Sequence, residues 1–413
     1  MKPNILYYSD YRVFAGCENM ISNFLNDKGL QNYFSLTFAY NFSDKYEQGL
    51  NSRVLNNGYQ KIPLTILSQL DYKKPIICTL FGSIAHKVFF AFYIPLYKYF
   101  SILINTIILF RLFKRYKIDI LHINNGGYPA ANSCYSAVIA GRLAGISKII
   151  YVVNNIAENY VHPFRWFDYP IDFLIKNWVT VFITGSENAG KRLKNVLRLD
   201  NKKLQTINNG IQKREITLSK EKFKEKYSIP PKKIVASVIA NLEKRKGHIF
   251  LLEAILQIKK QFHNSLNLLF IIEGTGAEKS NLKNYILEYE LTDLVIMIDY
   301  IPDIFNLLNV SDFVILPSIA NEDFPNIVIE AMSLGKPVIG TSIAGIPEQI
   351  ENNKTGLIVK PQNPEELKQA IIRLALDSNL LQQFSTAAIK KFDSSFEKSI
   401  SVQKYINLYK SIL

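Results

Sequence analysis

Cysteine is scarce in this chain. Cys17, Cys78 and Cys134 are odd in number and far apart, so no disulfide framework follows from them and a reducing cytoplasm is the simplest compartment. Histidine is scarce too, and the five present show no metal-ligand spacing. There is no zinc spacing, recognition-helix pattern or RNP-like stretch, which leaves nucleic acid the least supported partner. No low-complexity tract and no short-period repeat occur. No G-x-G-x-x-G loop follows the first strand pattern, where Phe14-Ala-Gly-Cys-Glu18 stands instead. That disfavours a nicotinamide-dependent dehydrogenase.

Basic residues and aromatics are plentiful. The formal charge is +14, a balance suited to phosphorylated small molecules or an anionic membrane face. With 26 Phe and 23 Tyr, the chain can build large cores or aromatic surfaces. At 413 residues, two or more domains are expected rather than one core. The start, Met-Lys-Pro-Asn-Ile-Leu-Tyr-Tyr-Ser-Asp, reads as a strand rather than a secretory leader.

Val88 to Phe110 is apolar enough to cross a bilayer on length alone. It is interrupted by Pro95, Lys98, Ser101 and Asn105 and followed by Arg111-Leu-Phe-Lys-Arg-Tyr-Lys117. A charge near the centre of a span is costly, so three readings stand: a membrane-inserted helix, a buried core helix, or an interfacial one. The basic flank would suit docking on an anionic leaflet, with residues 76–118 as the contact.

Short apolar runs alternate with amphipathic helical stretches along the chain. Six lie early: Asn4–Tyr8, Phe34–Phe38, Ile118–Ile123, Lys148–Val153, Val179–Thr184 and Leu204–Ile207. Six more are Ile234–Ile239, Leu266–Ile272, Leu294–Ile298, Phe313–Leu316, Pro337–Thr341 and Gly356–Val359. Such alternation predicts α/β architecture with parallel sheets covered on both faces. The polar stretch Gln212 to Lys233 separates the two series. We expect two doubly wound, Rossmann-like domains, 1–212 and 213–394, facing one another across a cleft. The last helix, about 395–413, is expected to pack back on the first domain. Ligands of such sheets sit beyond the carboxyl ends of the strands.

Five clusters fall at those ends. Glu322 and Glu330 flank Asp323-Phe-Pro-Asn326, which opens a helix stopped by Gly335 and Pro337. Helix-start N–H groups suit a diphosphate, and carboxylates suit sugar hydroxyls; acids near a helix start can equally just complement its dipole. Ala240-Asn-Leu-Glu-Lys-Arg-Lys-Gly-His248 places Lys246 where it could meet phosphate oxygens, or only form a solvated basic turn. Ile272-Glu-Gly-Thr-Gly276, Ala344-Gly-Ile-Pro-Glu348 and Phe14-Ala-Gly-Cys-Glu18 are glycine turns into helices, each weak alone.

Together and in this order they resemble retaining glycosyltransferases of family four, which have the GT-B fold. The matching text is Gly16-Cys-Glu18, Ile207-Asn-Asn-Gly-Ile211, Lys246-Gly-His248, Glu273-Gly-Thr-Gly276, Leu316-Pro-Ser318, the Glu322-x7-Glu330 signature, Gly335-Lys-Pro-Val338, Gly345-Ile-Pro-Glu348 and Thr355-Gly-Leu357. It covers nearly the whole C-terminal half and is thinner over residues 19–200. The resemblance implies metal-independent transfer of a sugar from a nucleotide-diphosphate donor, with retained configuration. It gives Glu322 the transferred sugar, Lys246 the diphosphate leaving group and Glu330 the donor ribose. Gly16, Arg245, Phe324, Pro325 and Asn326 would contact phosphate or sugar, while Glu273, Gly274, Tyr300 and Ile301 would border the base. No metal or other cofactor is expected, since the chain contains no Asp-x-Asp. Asn241 stands where many relatives carry arginine, which leaves Lys244 or Arg245 to supply a second cation. His122 and Asn154 are the candidate acceptor contacts.

The basic charge and the apolar 76–118 region favour a lipid-linked saccharide acceptor at the inner face of the membrane, with a soluble saccharide as the alternative if that region is buried. The abundance of Lys, Asn and Ile suggests a bacterial source, which would fit surface polysaccharide assembly. The competing reading is a catalytically inactive GT-B scaffold that binds partners in such an assembly.

Overall fold

The computed structural model describes residues 2–14, 16–68, 83–161, 163–263, 265–301 and 303–413. Cys78 and residues 76–82 of the expected membrane contact lie outside the described residues. The chain divides into two compact units, one made of residues up to Asn208 with Ser401–Leu413, the other of Asn209–Ile400.

The first unit contains β1 (Asn4–Ser9), β2 (Ser35–Asn41), β3 (Gln60–Leu64), β4 (Ile120–Asn125), β5 (Lys148–Val153), β6 (Val181–Thr184) and β7 (Leu204–Thr206). They form one sheet in the order β3-β2-β1-β4-β5-β6-β7, every neighbouring pair parallel. Strands β1 and β4 are buried along most of their length, and apolar clusters fill both faces of the sheet. The helix Lys398–Ile412 supplies Val402, Tyr405, Ile406 and Tyr409 to one of these clusters. Among the described strands of this unit, only β3 was not read from the sequence. Its five residues Gln-Lys-Ile-Pro-Leu are mostly half-exposed, and Pro63 cannot donate to a ladder, which confines the strand to the sheet edge.

The helix Ser83–Arg115 belongs to this unit. From Ser101 onwards one of its faces is buried, with Ser101, Ile102, Asn105, Thr106, Leu109, Leu112 and Phe113 enclosed. Ser136 Oγ donates to the Ile102 carbonyl at 3.0 Å, and Asn132 Nδ2 to Ser101 Oγ at 3.4 Å, so that face packs on the helix Asn132–Leu143. From Ser101 onwards the helix is thus buried on one side and outward on the other.

The second unit contains β8 (Ile234–Ile239), β9 (Leu268–Glu273), β10 (Val295–Ile298), β11 (Phe313–Leu316), β12 (Val338–Thr341) and β13 (Gly356–Val359). Their order is β10-β9-β8-β11-β12-β13, again all parallel. In both sheets the strand order reverses once, between β1 and β4 and between β8 and β11. Ligands of open parallel sheets gather beyond the carboxyl ends at such reversals.

Candidate functional site

Three loops meet at the reversal in the second unit. The loop after β8 runs through the single turn Lys244–Lys246 into the helix His248–Phe262, and the loop after β11 runs into the helix Asn326–Ser333. Ile319 N donates to the Arg245 carbonyl at 2.8 Å and fastens the first loop to the second. Gly247, left-handed at φ +69°, lets them come this close: a Cβ there would lie 2.0 Å from the Pro317 oxygen. The loop after β9 is tied to the first as well, through Leu242 N to the Thr275 carbonyl at 2.9 Å and Glu278 N to the Leu242 carbonyl at 2.9 Å.

Glu322 and Lys246 form an ion pair across the two fastened loops, with side-chain exposures of 8% and 13%. Ser318 Oγ donates to the same carboxylate oxygen at 2.8 Å, and Thr341 Oγ1, at the end of β12, donates to the Ser318 carbonyl at 2.6 Å. Arg245 stands 3.6 Å from Glu322, while its Nε bonds Glu243 at 2.7 Å and its Nη1 the Asn321 carbonyl at 3.1 Å. Of the two candidates for a second cation, Arg245 is therefore the one held beside the carboxylate; Lys244 is exposed. Asn241 is exposed too, its amide 3.5 Å from Glu243.

Glu330 lies one turn into the helix Asn326–Ser333 and is buried, as are Asp323 and Phe324. The Phe324 ring packs edge-on against Phe396 at 5.6 Å. Its side chain thus belongs to the core, and only its backbone is left to meet a ligand. Pro325 is the residue before the first helical turn, and its carbonyl accepts from Gln349 Nε2 at 3.1 Å. Asn326 Oδ1 accepts from Asn209 at 3.2 Å, which carries the Asn-Asn-Gly segment to the same helix start.

Glu273 ends β9, buried, and accepts from Ile301 N at 2.8 Å. Burial pushes its carboxyl up, and the Ile301 N–H opposes the shift. Gly274 follows it, bonding the Ile298 carbonyl at 3.1 Å; Ile301 is buried and Tyr300 is exposed beside it. His248 is buried with neither ring nitrogen bonded, and burial with the neighbouring Lys246 pushes it down to about 4. Sequence reasoning quoted Ser318 but gave it no role, and it passed over Thr341. Their signal was weak, since a small hydroxyl residue after a buried strand is common. Among the described residues no three His, Cys, Asp or Glu side chains converge as a metal site.

The reversal in the first unit carries a cavity of about 210 Å³ lined by Asp10, Tyr11, Arg12, Asn124, Asn125 and Gly126, among others. Asp10 accepts from Asn41 at 2.7 Å and from Ser133 at 2.5 Å. Asn154 bonds Asn124 at 2.7 Å and so supports one wall. His122 is a correction. Its ring is enclosed by Tyr7, Phe24, Tyr405 and Tyr409, with Tyr409 Oη 2.9 Å from Nδ1. Burial pushes it down to about 3. At 1% exposed it is a core residue rather than an acceptor contact.

Gly16 opens the short turn Gly16–Glu18 after β1. Glu18 closes it, fully buried, accepting from Ser9 at 2.7 Å, Tyr46 at 3.0 Å and Asn124 at 3.2 Å. Burial pushes its carboxyl up to about 7, with those hydrogen bonds opposing. The folded protein therefore holds this proton more tightly than the unfolded chain does. Its contribution to stability is complete below the ordinary 4.5 and is lost as pH rises through about 7. Against Glu18→Gln, the native chain should lose up to ~1.4 kcal/mol per pH unit across that window. Tm measured against pH for both chains checks this, and parallel curves would contradict it.

Residues 219–391, the greater part of the second unit, match the profile of the family described as Glycosyl transferases group 1. The chain is 26% identical over 317 residues to the UDP-Gal:alpha-D-GlcNAc-diphosphoundecaprenol alpha-1,3-galactosyltransferase of Escherichia coli, an alignment covering 74% of this chain and 78% of that one. It is 24% identical to the capsular polysaccharide biosynthesis glycosyltransferase CapM of Staphylococcus aureus, over 80% of this chain and 86% of that one. The crystal structure of Anabaena Alr3699/HepE in complex with UDP superposes with a TM-score of 0.75 at 16% identity, covering all of both chains. The chain is a glycosyltransferase of the GT-B fold, and its residues 219–391 match the group 1 family.

Proposed function

We propose that the protein moves a sugar, with retention of configuration and without a metal, from a nucleoside-diphosphate sugar to a lipid-linked saccharide in the assembly of a bacterial surface polysaccharide. The observation that carries this is the buried pairing of Lys246 with Glu322 at the strand reversal of the second unit. A lysine held there can turn to the diphosphate as negative charge develops on it, the largest electrostatic demand of the reaction. In the step proposed, the bond from the anomeric carbon to the diphosphate oxygen breaks. The acceptor oxygen bonds that carbon on the same face, and its proton passes to the departing phosphate. Glu322 meets the transferred sugar and Glu330 the donor ribose. UDP is the first nucleotide to try, since the Anabaena protein is described with UDP and the E. coli relative as using UDP-Gal. The latter's diphosphoundecaprenol acceptor supports the lipid-linked reading.

The test is a thermal shift of the whole chain with UDP, GDP or ADP in the absence of metal. One nucleoside diphosphate should raise Tm. Glu330→Ala should weaken its binding about 10- to 100-fold, the loss of hydrogen bonds to a charged group, while Glu322→Ala mainly lowers turnover. No shift with any nucleotide, or equal affinities and rates in both variants, would contradict the assignment.

A further inference from the structure

The outward face of the helix Ser83–Arg115 is apolar where a water-facing surface should be polar. Leu96, Phe100, Leu103 and Ile107 are 68, 55, 59 and 41% exposed, and their spacing of four, three and four puts them in one stripe. The opposite face buries the polar side chains. Asn105 bonds the Leu67 N–H at 2.9 Å and the Leu67 carbonyl at 2.8 Å, and Ser101 and Thr106 are enclosed beside it. This is the reverse of a helix that faces water.

A second element continues the stripe. Between Val161 and Phe173, Val161, Phe164, Trp166, Phe167, Tyr169 and Phe173 are all about half exposed or more. Their backbone is pinned to the helix from beneath. Tyr99 Oη donates to the Phe167 carbonyl, and Lys98 pairs with Asp168. Asp168 and Asp172 are buried on Arg165 at 2.9 and 2.6 Å, so the acids of this segment point inward and the rings outward. Exposed apolar area on this scale marks an interaction surface.

Charge identifies the occupant. Arg111 and Lys114 continue the same stripe by further steps of four and three, both exposed, and from Leu96 to Lys117 the chain carries no acidic residue. An apolar stripe ending in cations, bordered by Trp, Tyr and Phe, fits the boundary of an anionic bilayer, where rings sit at headgroup depth and cations meet the phosphates. We propose that this face of the first unit, built from Leu96–Lys114 and Val161–Phe173, seats the protein on an anionic lipid surface. The second element was invisible in the sequence reading, which considered residues 76–118 alone. Seating does not depend on the transfer reaction, so the two are measured separately.

The chain has two tryptophans, Trp166 and Trp178, and Trp178→Phe leaves Trp166 as the only reporter. That full-length variant is mixed with vesicles of phosphatidylethanolamine and phosphatidylglycerol, and with vesicles of phosphatidylcholine alone. Blue-shifted emission and co-sedimentation with the anionic vesicles, weakened by salt, are expected. Adding Leu103→Ser and Phe167→Ser should lower partitioning about tenfold or more, and Arg111→Gln with Lys114→Gln should lower it similarly and remove most of the salt dependence. Nucleotide-induced thermal shifts, unchanged in these variants, show that the fold is intact. Absence of shift and of sedimentation overturns the proposal, as does unchanged partitioning of the variants. A concentration-dependent dimer lost on Leu103→Ser and Phe167→Ser, without vesicle binding, assigns the face to a second copy and also overturns it.

Discussion

Lys246→Ala is expected to lower the rate of sugar transfer by about 10²- to 10³-fold, the usual loss when one donor aimed at developing charge is removed. The same change also strands a carboxylate. Glu322 is buried and takes Lys246 as its ion-pair partner, with Ser318 as a neutral donor and Arg245 at 3.6 Å. Removing one member of a buried pair costs ~3–5 kcal/mol where nothing else compensates, and Arg245 should reduce that cost. A fall in Tm would therefore accompany the fall in rate, and the two must be separated. Lys246→Ala combined with Glu322→Gln removes the stranded charge and keeps an oxygen that can accept from Ser318. Tm should recover in the double variant, while transfer stays well below that of Glu322→Gln alone. If the double variant transfers sugar as fast as Glu322→Gln alone, Lys246 serves only to neutralise Glu322 and has no role at the diphosphate.

Of the thirteen strands among the described residues, twelve were legible, because parallel strands covered on both faces are mostly continuous apolar runs bounded by turns, as Phe313–Leu316 and Lys148–Val153 show. The thirteenth, Gln60–Leu64, is an edge strand with a proline, and nothing in its pattern separates it from a loop. At the site, Lys246 and Glu322 lie 76 positions apart in sequence, so their pairing follows from the crossover between β8 and β11 and not from any local spacing. The resemblance to family four named both residues but not their contact. His122 misled for a related reason. It lies inside β4, and alternation along a strand cannot tell a face covered by a helix from one that meets ligand. The covering residues, Tyr405 and Tyr409, come from nearly 300 positions away. The outward apolar stripe was half legible, because the helix has a strong composition signal and the short Val161–Phe173 segment has no period at all.

Gly247→Ala should be strongly damaging to the second unit. Two costs add. Alanine at φ +69° is left-handed, worth ~1–2 kcal/mol. Its Cβ would also stand 2.0 Å from the Pro317 carbonyl oxygen, a backbone atom that no rotamer change can move aside. The loop after β8 must then withdraw from the loop after β11. That breaks the bond from Ile319 N to the Arg245 carbonyl and draws Lys246 away from Glu322. A loss of about 4 kcal/mol or more is expected, in the range reserved for overpacked or strained positions. For a unit of this size that corresponds to a Tm lower by about 10 °C. Gly335→Ala is the control. It has nearly the same φ, +65°, but its Cβ would meet Ser385 Oγ at 2.8 Å and Ile389 Cδ1 at 2.9 Å, the ends of side chains that can rotate. Its loss should stay close to the conformational cost alone, with nucleotide binding unchanged. Equal falls in Tm for the two variants would mean that backbone conformation, and not the close approach of the two loops, is what glycine provides at position 247.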